Sequence, residues 1–498
     1  MEILTNQQMG EADRLTIADG TDGYMLMQRA GRAVAEAAAD LAGGGPILVV
    51  AGRGNNGGDG FVAATVLAAA GCDVSVMLLC QRETLKGDAA AAARDWSGSV
   101  LACAPDALGH PALIVDALFG AGLDRPVKGD PHAVIGAINA NGAPVLSVDL
   151  PSGINGTTGQ IMGTAVRATE TVTFFRKKPA HLLLPGRAHC GRVRVADIGI
   201  AARVLETIGV RLFENDPDLW QAAFPVPGLE AHKYARGHAA IACGGVAATG
   251  AARLSARAAL RGGAGLVTLA TPSEALAVNA AALTAVMVRP IDTAVEFAEM
   301  LADRRFNACV VGPGCGIGAR TRDLALTAIG ANRGVVLDAD ALTSFADDPA
   351  ALFAAIKTDE AGAVVLTPHE GEFRRLFGDI AERPDLSKLE RAWLAAERSG
   401  AVVVLKGADT VVAAPDGRAS IAANAKPWLA TAGSGDVLAG IIGAMLAQGV
   451  GAFEAASIGV WMHGEASAEA GPGLIAEDLP EVLPTVFRRL YDAFEIAY

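Results

Sequence analysis

A glycine-rich segment in the second half of the chain, residues 431–436, combines residue types that can bind a phosphate and transfer a proton. It reads Thr-Ala-Gly-Ser-Gly-Asp and precedes an apolar run, residues 437–446, that has a helical pattern. The glycines are therefore predicted to lie at a helix N-terminus, where free backbone N–H groups and the positive end of the helix dipole attract anions. Asp436 could accept a proton from a hydroxyl group held against that phosphate. The alternative is an ordinary helix that Asp436 only caps.

A second glycine-rich segment, residues 51–60, lies in the first half and reads Ala-Gly-Arg-Gly-Asn-Asn-Gly-Gly-Asp-Gly. It stands between an apolar run and a helix-like run that starts at Phe61, and a strand, a glycine-rich turn and a helix in this order form a phosphate cradle. Asp116 and Asp149 end two later apolar runs. Carboxylates at neighbouring strand ends can bind a cation or exchange protons, and helix capping is the alternative for each of them.

Short apolar runs are expected to position these residues. Each run is followed by glycine or proline and then by an alanine-rich stretch. This alternation is typical of parallel βα units, in which ligands lie beyond the carboxyl ends of the strands. A boundary between two such halves is expected within residues 200–233, around a Pro-Val-Pro-Gly cluster. The predicted strands are residues 47–50, 113–116, 145–149, a run at Val310, and residues 335–338, 364–366 and 402–405.

The composition excludes several classes of protein. A chain of 498 residues is too long for one ordinary core, and 51% hydrophobic against 19% charged residues suits buried parallel sheets. The net charge of −13 argues against a nucleic-acid surface. The seven cysteines form no C-x-x-C pair, so buried thiols are expected. A secretory pattern is absent, and the apolar run of residues 437–453 is too short and too rich in glycine to span a membrane. A cytoplasmic protein without nucleic-acid or membrane partners is expected.

The second half resembles a known family through an ordered set of segments. In this order they are similar to the ribokinase-like superfamily, and within it to the ADP- or ATP-dependent NAD(P)H-hydrate dehydratases, from about residue 232 to the C-terminus. The resemblance implies a three-layer αβα domain that uses ADP or ATP with Mg²⁺, and ADP is the family expectation. Besides residues 431–436, the segments are residues 232–237, 258–268, 312–316 (Gly-Pro-Gly-Cys-Gly), 338–342 (Asp-Ala-Asp-Ala-Leu), 367–372 (Thr-Pro-His-Glu-Gly-Glu) and 406–410 (Lys-Gly-Ala-Asp-Thr).

This resemblance assigns two groups of ligand-binding residues, with Asp436 as the catalytic base. From the residues alone, Gly314 and Gly316 could instead form a tight turn, and His369 could cap a helix that starts at Glu370. One departure is that the loop of residues 244–251 keeps a single side-chain hydroxyl, Thr249, where the family tends to carry a serine. The hydrate is assigned to Ala251, Gly314, Gly316, His369 and Asp436, and the nucleotide to Lys406, Gly407, Ala408, Asp409, Thr410, Gly433, Ser434 and Gly435.

The first half resembles the NAD(P)H-hydrate epimerases over about residues 1–213, through its Asn-Asn-Gly-Gly-Asp core and the segments 115–126 and 148–153. The resemblance implies a Rossmann-like αβα domain, with Asp149 as the catalytic acid or base. It assigns K⁺ to Asn56, Asp116 and Ser152, whose oxygen atoms suit a hard cation. It assigns the dinucleotide hydrate to Asn55, Asn56, Gly57, Gly58, Asp59, Gly120, Ala121, Gly122, Leu123, Asp124, Arg125, Pro126 and Asp149.

Together the two resemblances predict a bifunctional enzyme that repairs hydrated NADH and NADPH. An epimerase domain, residues 1–213, would interconvert the R and S hydrates, and a dehydratase domain, residues 224–498, would remove water from the S form. A homo-oligomer is expected. The alternative is a ribokinase-like kinase of a vitamin-type alcohol, with a first half that binds dinucleotides without catalysis. A stable phosphorylated product would favour this alternative.

Overall fold

The computed structural model describes residues 1–497, which form two compact α/β units, one of residues 2–212 and one of residues 213–497 together with Met1. The α/β class predicted from the βα rhythm is confirmed. Within the described residues, no helix combines the length and apolar character that crossing a bilayer would require.

The first unit is built on a seven-stranded parallel sheet with strand order β3-β2-β1-β4-β5-β6-β7. The order reverses between β1 and β4, and ligands of such sheets bind at this switch point. The strands are β1 (Ile47–Ala51), β2 (Val74–Leu78), β3 (Val100–Ala102), β4 (Leu113–Ala117), β5 (Val145–Val148), β6 (Glu170–Phe174) and β7 (Arg192–Ala196). The helices are α1 (Asn6–Ala18), α2 (Gly23–Ala42), α3 (Asn55–Ala69), α4 (Gly87–Asp95), α5 (Asp130–Asn141) and α6 (Arg203–Ile208).

Strand β1 explains the three layers of this unit. Its residues are all buried, and successive side chains of a strand point to opposite faces. Val49 and Ala51 contribute to the core shared with α2 and α3, whereas Leu48 and Val50 contribute to the core shared with α5. A strand that is covered on both faces has no polar position, so it reads as a continuous apolar run.

The second unit repeats this plan. Its sheet has the order β11-β10-β9-β12-β13-β14-β15-β16-β17-β8; the pairs from β11 to β15 are parallel, and β16 and β17 continue antiparallel. The switch point lies between β9 and β12. The strands are β8 (Leu212–Glu214), β9 (His238–Ala242), β10 (Leu266–Thr271), β11 (Met287–Pro290), β12 (Ala308–Val311), β13 (Gly334–Leu337), β14 (Val364–Leu366), β15 (Val402–Leu405), β16 (Val411–Ala413) and β17 (Ala419–Ile421).

Helices of the second unit cover this sheet. One of them, α17 (Ser434–Ala447), is buried from Val437 to Ala447 and packs between α8 and α18, which explains its nearly uniform apolar sequence. The others are α7 (Pro217–Trp220), α8 (Thr249–Arg261), α9 (Leu276–Ala282), α10 (Ala294–Leu301), α11 (Ala319–Gly330), α12 (Asp340–Ser344), α13 (Pro349–Ile356), α14 (Glu370–Leu376), α15 (Gly378–Ala381), α16 (Lys388–Ser399), α18 (Ala452–Ala470) and α19 (Asp478–Ala493).

Two details of the predicted elements were wrong. Asn55 starts helix α3, so the Asn-Asn-Gly-Gly-Asp core forms the first turns of the helix rather than a loop that precedes it. Asp149 and Asp338 lie one residue beyond strands β5 and β13 instead of within them. Hydrophobic periodicity could not locate these boundaries, because α3 begins with polar residues and glycines that carry no apolar pattern, and because an aspartate directly follows each of the two apolar runs.

Candidate active sites

A cavity of about 920 Å³ lies at the carboxyl edge of β1, β4 and β5 in the first unit. Residues that follow β1 and β4 form much of its wall, as the switch point of the sheet requires. Gly57, Gly58 and Pro126 are not part of the wall, and the two glycines are buried within α3. The predicted hydrate-binding residues that line it are Asn55, Asn56, Asp59, Gly120, Ala121, Gly122, Leu123, Asp124, Arg125 and Asp149.

Asp149 reaches this cavity through an unusual backbone conformation. Its φ angle is 62°, a region that side-chain-bearing residues seldom occupy. Two backbone hydrogen bonds hold it there: its N–H donates to Val172 O (2.7 Å), and its carbonyl oxygen lies 2.9 Å from His181 Nε2. His181 Nδ1 accepts from the Lys178 N–H (2.8 Å), so the imidazole proton is on Nε2 and is donated to Asp149. Burial, the main cause, lowers the pKa of His181 to about 4 and keeps this ring neutral.

The carboxylate of Asp149 forms a buried ion pair with Lys178. Lys178 Nζ lies 2.7 Å from Asp149 Oδ1 and also donates to Thr173 Oγ1 (2.8 Å). Burial alone would raise the pKa of Asp149, but the Lys178 charge and its hydrogen bond outweigh burial and lower that pKa to about 2. The sequence interpretation missed Lys178. Lys178 follows β6 by four residues, whereas Asp116 lies within β4 and Asp149 directly follows β5, so no shared position relative to a strand marked it.

The three residues predicted to bind K⁺ differ in their hydrogen bonds. Asp116 is fully buried, and its carboxylate accepts hydrogen bonds from Ser152 N (2.8 Å), Ser152 Oγ and Ser147 Oγ (2.9 Å). Burial raises the pKa of Asp116 in spite of these donors. Asn56 lies in the first turn of α3, where a Cβ atom on Gly120 would be 2.8 Å from its Oδ1, and its buried Nδ2 has no hydrogen-bond partner among the described residues. Amide, carboxylate and hydroxyl oxygens of this kind fit a hard monovalent cation, which would offset the buried charge of Asp116.

In the second unit, the loops after β9 and β12 meet at the switch point. The backbone of Gly244 is so close to Gly314 that a Cβ atom on Gly244 would lie 1.9 Å from the carbonyl oxygen of Gly314. A Cβ atom on Gly314 would in turn lie 3.2 Å from the side chain of Ala251, in the first turn of α8. The Gly316 N–H donates to Asp340 Oδ2 (2.9 Å). The structure therefore brings together Ala251, Gly314 and Gly316.

Asp436 lies in the first turn of α17, as its sequence predicted. Gly433, which precedes this helix, has a φ of 86°, and this left-handed conformation favours glycine. Ser255 Oγ on α8 donates to the Asp436 carbonyl oxygen (2.6 Å) and joins the two helices here. Burial is the main cause that raises the pKa of Asp436 to about 7, and the negative charge of Asp338 is the second cause. A carboxyl group with such a pKa can exchange protons readily at neutral pH.

The ammonium group of Lys406 lies close to two carboxylates, and the charge of Asp436 adds to the electrostatic field around it. Lys406 Nζ is 2.7 Å from Asp338 Oδ1 and 3.9 Å from Glu372 Oε2. Burial works against this charge, but the Asp338 and Glu372 carboxylates outweigh it and raise the pKa of Lys406. A Cβ atom on Gly435 would lie 3.4 Å from Nζ, so the ammonium group is also close to the glycine-rich turn. Lys406 is therefore a buried cation within this cluster and not a solvated charge at a strand end.

The other predicted residues of this site are arranged around the same edge. His369 caps α14, because its Nδ1 accepts from Gly371 N (2.9 Å) and Glu372 N (3.2 Å). The other ring nitrogen, Nε2, lies 3.5 Å from Glu372 Oε1, and 55% of the His369 side chain is exposed. Thr410 Oγ1 donates to Gly407 O (2.7 Å) and closes the turn after β15, while Asp409 pairs with Lys388 (2.7 Å).

Comparisons with known proteins match each of the two units to a family. The NAD(P)H-hydrate dehydratase family matches residues 239–483, and the family described as YjeF-related protein N-terminus matches residues 23–180. The bifunctional NAD(P)H-hydrate repair enzyme of Moorella thermoacetica is 36% identical, over 99% of this chain and 98% of its own. The enzyme of that name from Gloeobacter violaceus is 38% identical, over 94% and 92%. The structure of ADP/ATP-dependent NAD(P)H-hydrate dehydratase from Bacillus subtilis, co-crystallized with ATP and Mg²⁺, covers 56% of this chain and 98% of its own, with 27% identity and a TM-score of 0.50.

The two switch-point sites and the Gly-Ser-Gly-Asp helix terminus define a two-unit α/β enzyme, with a Rossmann-like sheet followed by a ribokinase-like one. The chain belongs to the family of bifunctional NAD(P)H-hydrate repair enzymes. The predicted family, the predicted fold class and the predicted combination of an epimerase with a dehydratase are thus confirmed. The kinase alternative is not favoured.

Proposed function

We propose that the chain interconverts the R and S hydrates of NADH and NADPH and dehydrates the S form with ADP as the phosphoryl donor. The products of dehydration are AMP, phosphate and the reduced cofactor. The observation that carries this proposal is Asp436, a carboxyl group with a raised pKa in the first turn of α17, beside the Lys406 ammonium group. The proposed domains are residues 1–213 for epimerisation and 224–498 for dehydration, which agrees with two compact units that divide near residue 212.

In the dehydration step, the hydroxyl group of the hydrate is a poor leaving group until it is phosphorylated. Asp436 removes the hydroxyl proton, and the oxygen attacks the terminal phosphoryl group as the bond to the departing nucleotide breaks. Backbone N–H groups at the start of α17 stabilise the negative charge that develops. The carbon–oxygen bond then breaks, phosphate leaves, and loss of a proton from the neighbouring carbon restores the dihydropyridine ring. The phosphate is therefore transferred and released in one reaction sequence.

Except for Asp340, the residues proposed for each ligand are those that the family resemblance assigns. Lys406 would stabilise charge near the glycine-rich turn. Asp340, whose Oδ2 accepts from Gly316 N (2.9 Å) and whose charge contributes to the raised pKa of Asp436, would offer an oxygen ligand to the Mg²⁺ ion that enters with the nucleotide. Gly407, Ala408, Asp409, Thr410, Gly433, Ser434 and Gly435 bind the nucleotide, and Ala251, Gly314, Gly316 and His369 bind the hydrate. In the first unit, Asp149 acts on the hydrate that the residues of the cavity wall bind.

A purified preparation that receives mixed R and S hydrates tests the whole proposal. With ADP, all of the hydrate is expected to return to the reduced cofactor, as followed by its absorbance, with one phosphate released per cofactor. Parallel reactions with ATP, and without any nucleotide, identify the phosphoryl donor. If half of the mixture remained, epimerisation by the first unit would be contradicted. A phosphorylated hydrate that accumulated would contradict the dehydratase instead.

The pH dependence of dehydration follows from the pKa of Asp436. A base must be deprotonated, so kcat/KM for the S hydrate is expected to rise about tenfold per pH unit below about pH 7 and to level off above it. The Lys406 charge lowers the pKa of Asp436, so Lys406→Gln should move this limb to higher pH. Initial rates at saturating nucleotide measure both profiles. A limb that stays in place in Lys406→Gln would mean that another group titrates, such as the nucleotide phosphate.

We also propose that Asn56, Asp116 and Ser152 bind K⁺, a cation that would hold the cavity loops after β1 and β4 in place. Replacement of K⁺ by tetramethylammonium at equal ionic strength is expected to lower the rate of epimerisation several-fold and to lower the melting temperature of the first unit. Asp116→Asn removes the carboxylate, and its epimerisation rate should no longer respond to K⁺. If the rate of this variant responded to K⁺ as before, Asp116 would not be a ligand of the cation.

A further inference from the structure

Inversion of the hydrate carbon requires two acid–base groups, if water leaves from one face and returns to the other. One group donates a proton to the departing hydroxyl, and one accepts a proton from the incoming water. This reasoning rests on the epimerase function proposed for the first unit. Asp149 by itself cannot serve both purposes, because one carboxyl group does not reach both faces of a ring.

The hydrogen bonds of Asp149 suit only the accepting role. Its Oδ1 accepts from Lys178 Nζ (2.7 Å) and Thr173 Oγ1 (2.9 Å), and its Oδ2 accepts from Ala121 N (3.0 Å). A carboxyl group that is surrounded by N–H and O–H donors is held in its ionised form. Asp149 therefore has no proton to donate, and another residue of the cavity must supply it.

Asp13 on helix α1 has the opposite environment. Its side chain lines the same cavity as Asp149, Asp59 and Lys178. Its carboxyl group makes no hydrogen bond or ion pair with any residue that the structure describes, and neither does that of Asp59, which is 8% exposed. Because no donor stabilises the ionised form, the half-buried Asp13 can keep its proton more easily than a carboxyl group in water.

The charges around Asp13 come from several elements. Lys178 favours the ionised form of Asp13, whereas Asp149 favours its protonated form. Asp13 in turn contributes to the raised pKa of Asp59, of which burial is the main cause. With burial as the main cause, the pKa of Asp13 is raised to about 6. Two carboxyl groups in one cavity whose environments move their pKa values apart are the arrangement that acid–base pairs use. The remaining charged residues of the cavity wall are Arg53, Asp88, Asp124 and Arg125, and those of α6, which packs against α1, are Arg203 and Glu206.

We propose that Asp13 is a second catalytic residue of the epimerase cavity, which donates a proton to the departing hydroxyl of the hydrate while Asp149 accepts the proton of the incoming water. The carbon–oxygen bond breaks, water leaves, and the ring nitrogen forms a double bond to the same carbon. Water then adds to the opposite face and a new carbon–oxygen bond forms. Asp13 regains a proton from solvent and Asp149 returns its own, so atoms and charge balance over one turnover. The acidic cavity stabilises the positive ring between the two steps.

The test follows the ratio of the two hydrates when the full chain receives pure S hydrate of NADPH without any nucleotide. Under these conditions the dehydratase cannot act. Asp13→Asn is expected to lower kcat for epimerisation about 100-fold, with KM within about threefold of the unsubstituted chain. Glu11→Gln is the matched control, because it removes one charge from the same helix, and within residues 1–497 Glu11 pairs only with exposed Arg14. Its kinetics should be unchanged.

The pH profile separates a catalytic role from a structural one. In the unsubstituted chain the rate should fall as the pH rises above about 6, because Asp13 then loses the proton that it must donate. This limb of the profile, the fall in rate above about pH 6, should be absent from the Asp13→Asn variant. The Asp13→Glu variant keeps a carboxyl group and should have at least about a tenth of the rate of the unsubstituted chain.

An Asp13→Asn variant with kcat within threefold of the unsubstituted chain, or with the same limb, would overturn the proposal. If that variant fails to fold, as thermal unfolding would reveal, a missing limb near pH 6 in the unsubstituted chain overturns it equally. A chain that does not epimerise at all would contradict the proposed function itself.

Discussion

Asp436→Asn is expected to lower kcat for dehydration of the S hydrate by about 10³-fold, within the range that general base catalysis contributes. Asparagine preserves the size of the side chain and the start of α17, but it cannot accept the hydroxyl proton. The phosphoryl acceptor is then a neutral hydroxyl group, which is a weak nucleophile. The rate of cofactor recovery from pure S hydrate with saturating ADP measures the effect.

Two controls distinguish this loss from a disturbed fold. Asp379→Asn removes a carboxylate from the same unit, but from an exposed ion pair with Arg398, so dehydration should be unchanged. Epimerisation by Asp436→Asn itself should also be unchanged. An Asp436→Asn variant that dehydrates at more than a tenth of the original rate would show that Asp436 is not the base.

Asp149→Asn is expected to have the second large effect, with epimerisation at least 100-fold slower and dehydration of S hydrate unaffected. The substitution also leaves Lys178 as a buried cation without its partner, which costs on the order of 3–5 kcal/mol of stability. Thermal unfolding should therefore show a lower melting temperature for the first unit. The assay must be run well below that temperature.

The double variant Asp149→Asn, Lys178→Met separates the two effects. Methionine fills the space of the lysine stem without a charge, so stability should recover in large part. Epimerisation should stay low, because the acid–base group is still missing. If activity returned together with stability, Asp149 would be a structural partner of Lys178 and not a catalytic residue.

Much of the fold could be predicted because each signal was local. Buried strands such as β1 read as apolar runs, and the Gly-Ser-Gly-Asp segment carries its own preference for a helix terminus. The glycine-rich Asn-Asn-Gly-Gly-Asp core was harder to interpret, because glycine lowers helix propensity and the segment still became the first turns of α3. Packing of α3 against β1 and α2 overrides that weak local preference.

The sites were predicted in part. Asp149 and Asp436 could be identified because each follows a strand or starts a helix within a rare motif. Lys178, His181 and Asp13 could not, because their importance depends on partners that are far away in the chain. Lys178 pairs with Asp149 across 29 residues of sequence, and Asp13 lines the same cavity from α1. No pattern within a short window contains these contacts.

The amino-acid sequence alone determined that the chain has two α/β halves with nucleotide chemistry. The features that determined this are the Asn-Asn-Gly-Gly-Asp and Gly-Ser-Gly-Asp segments, the alternation of strands and helices, and the low share of charged residues. These are local properties of backbone preference and hydrophobic periodicity. Only the tertiary structure decided which carboxyl groups are ionised. Asp149 meets an ammonium group and is held ionised, while Asp13 and Asp436 are partly buried and have raised pKa values. Charge interactions and burial depend on distance in space, and the folded chain alone sets that distance.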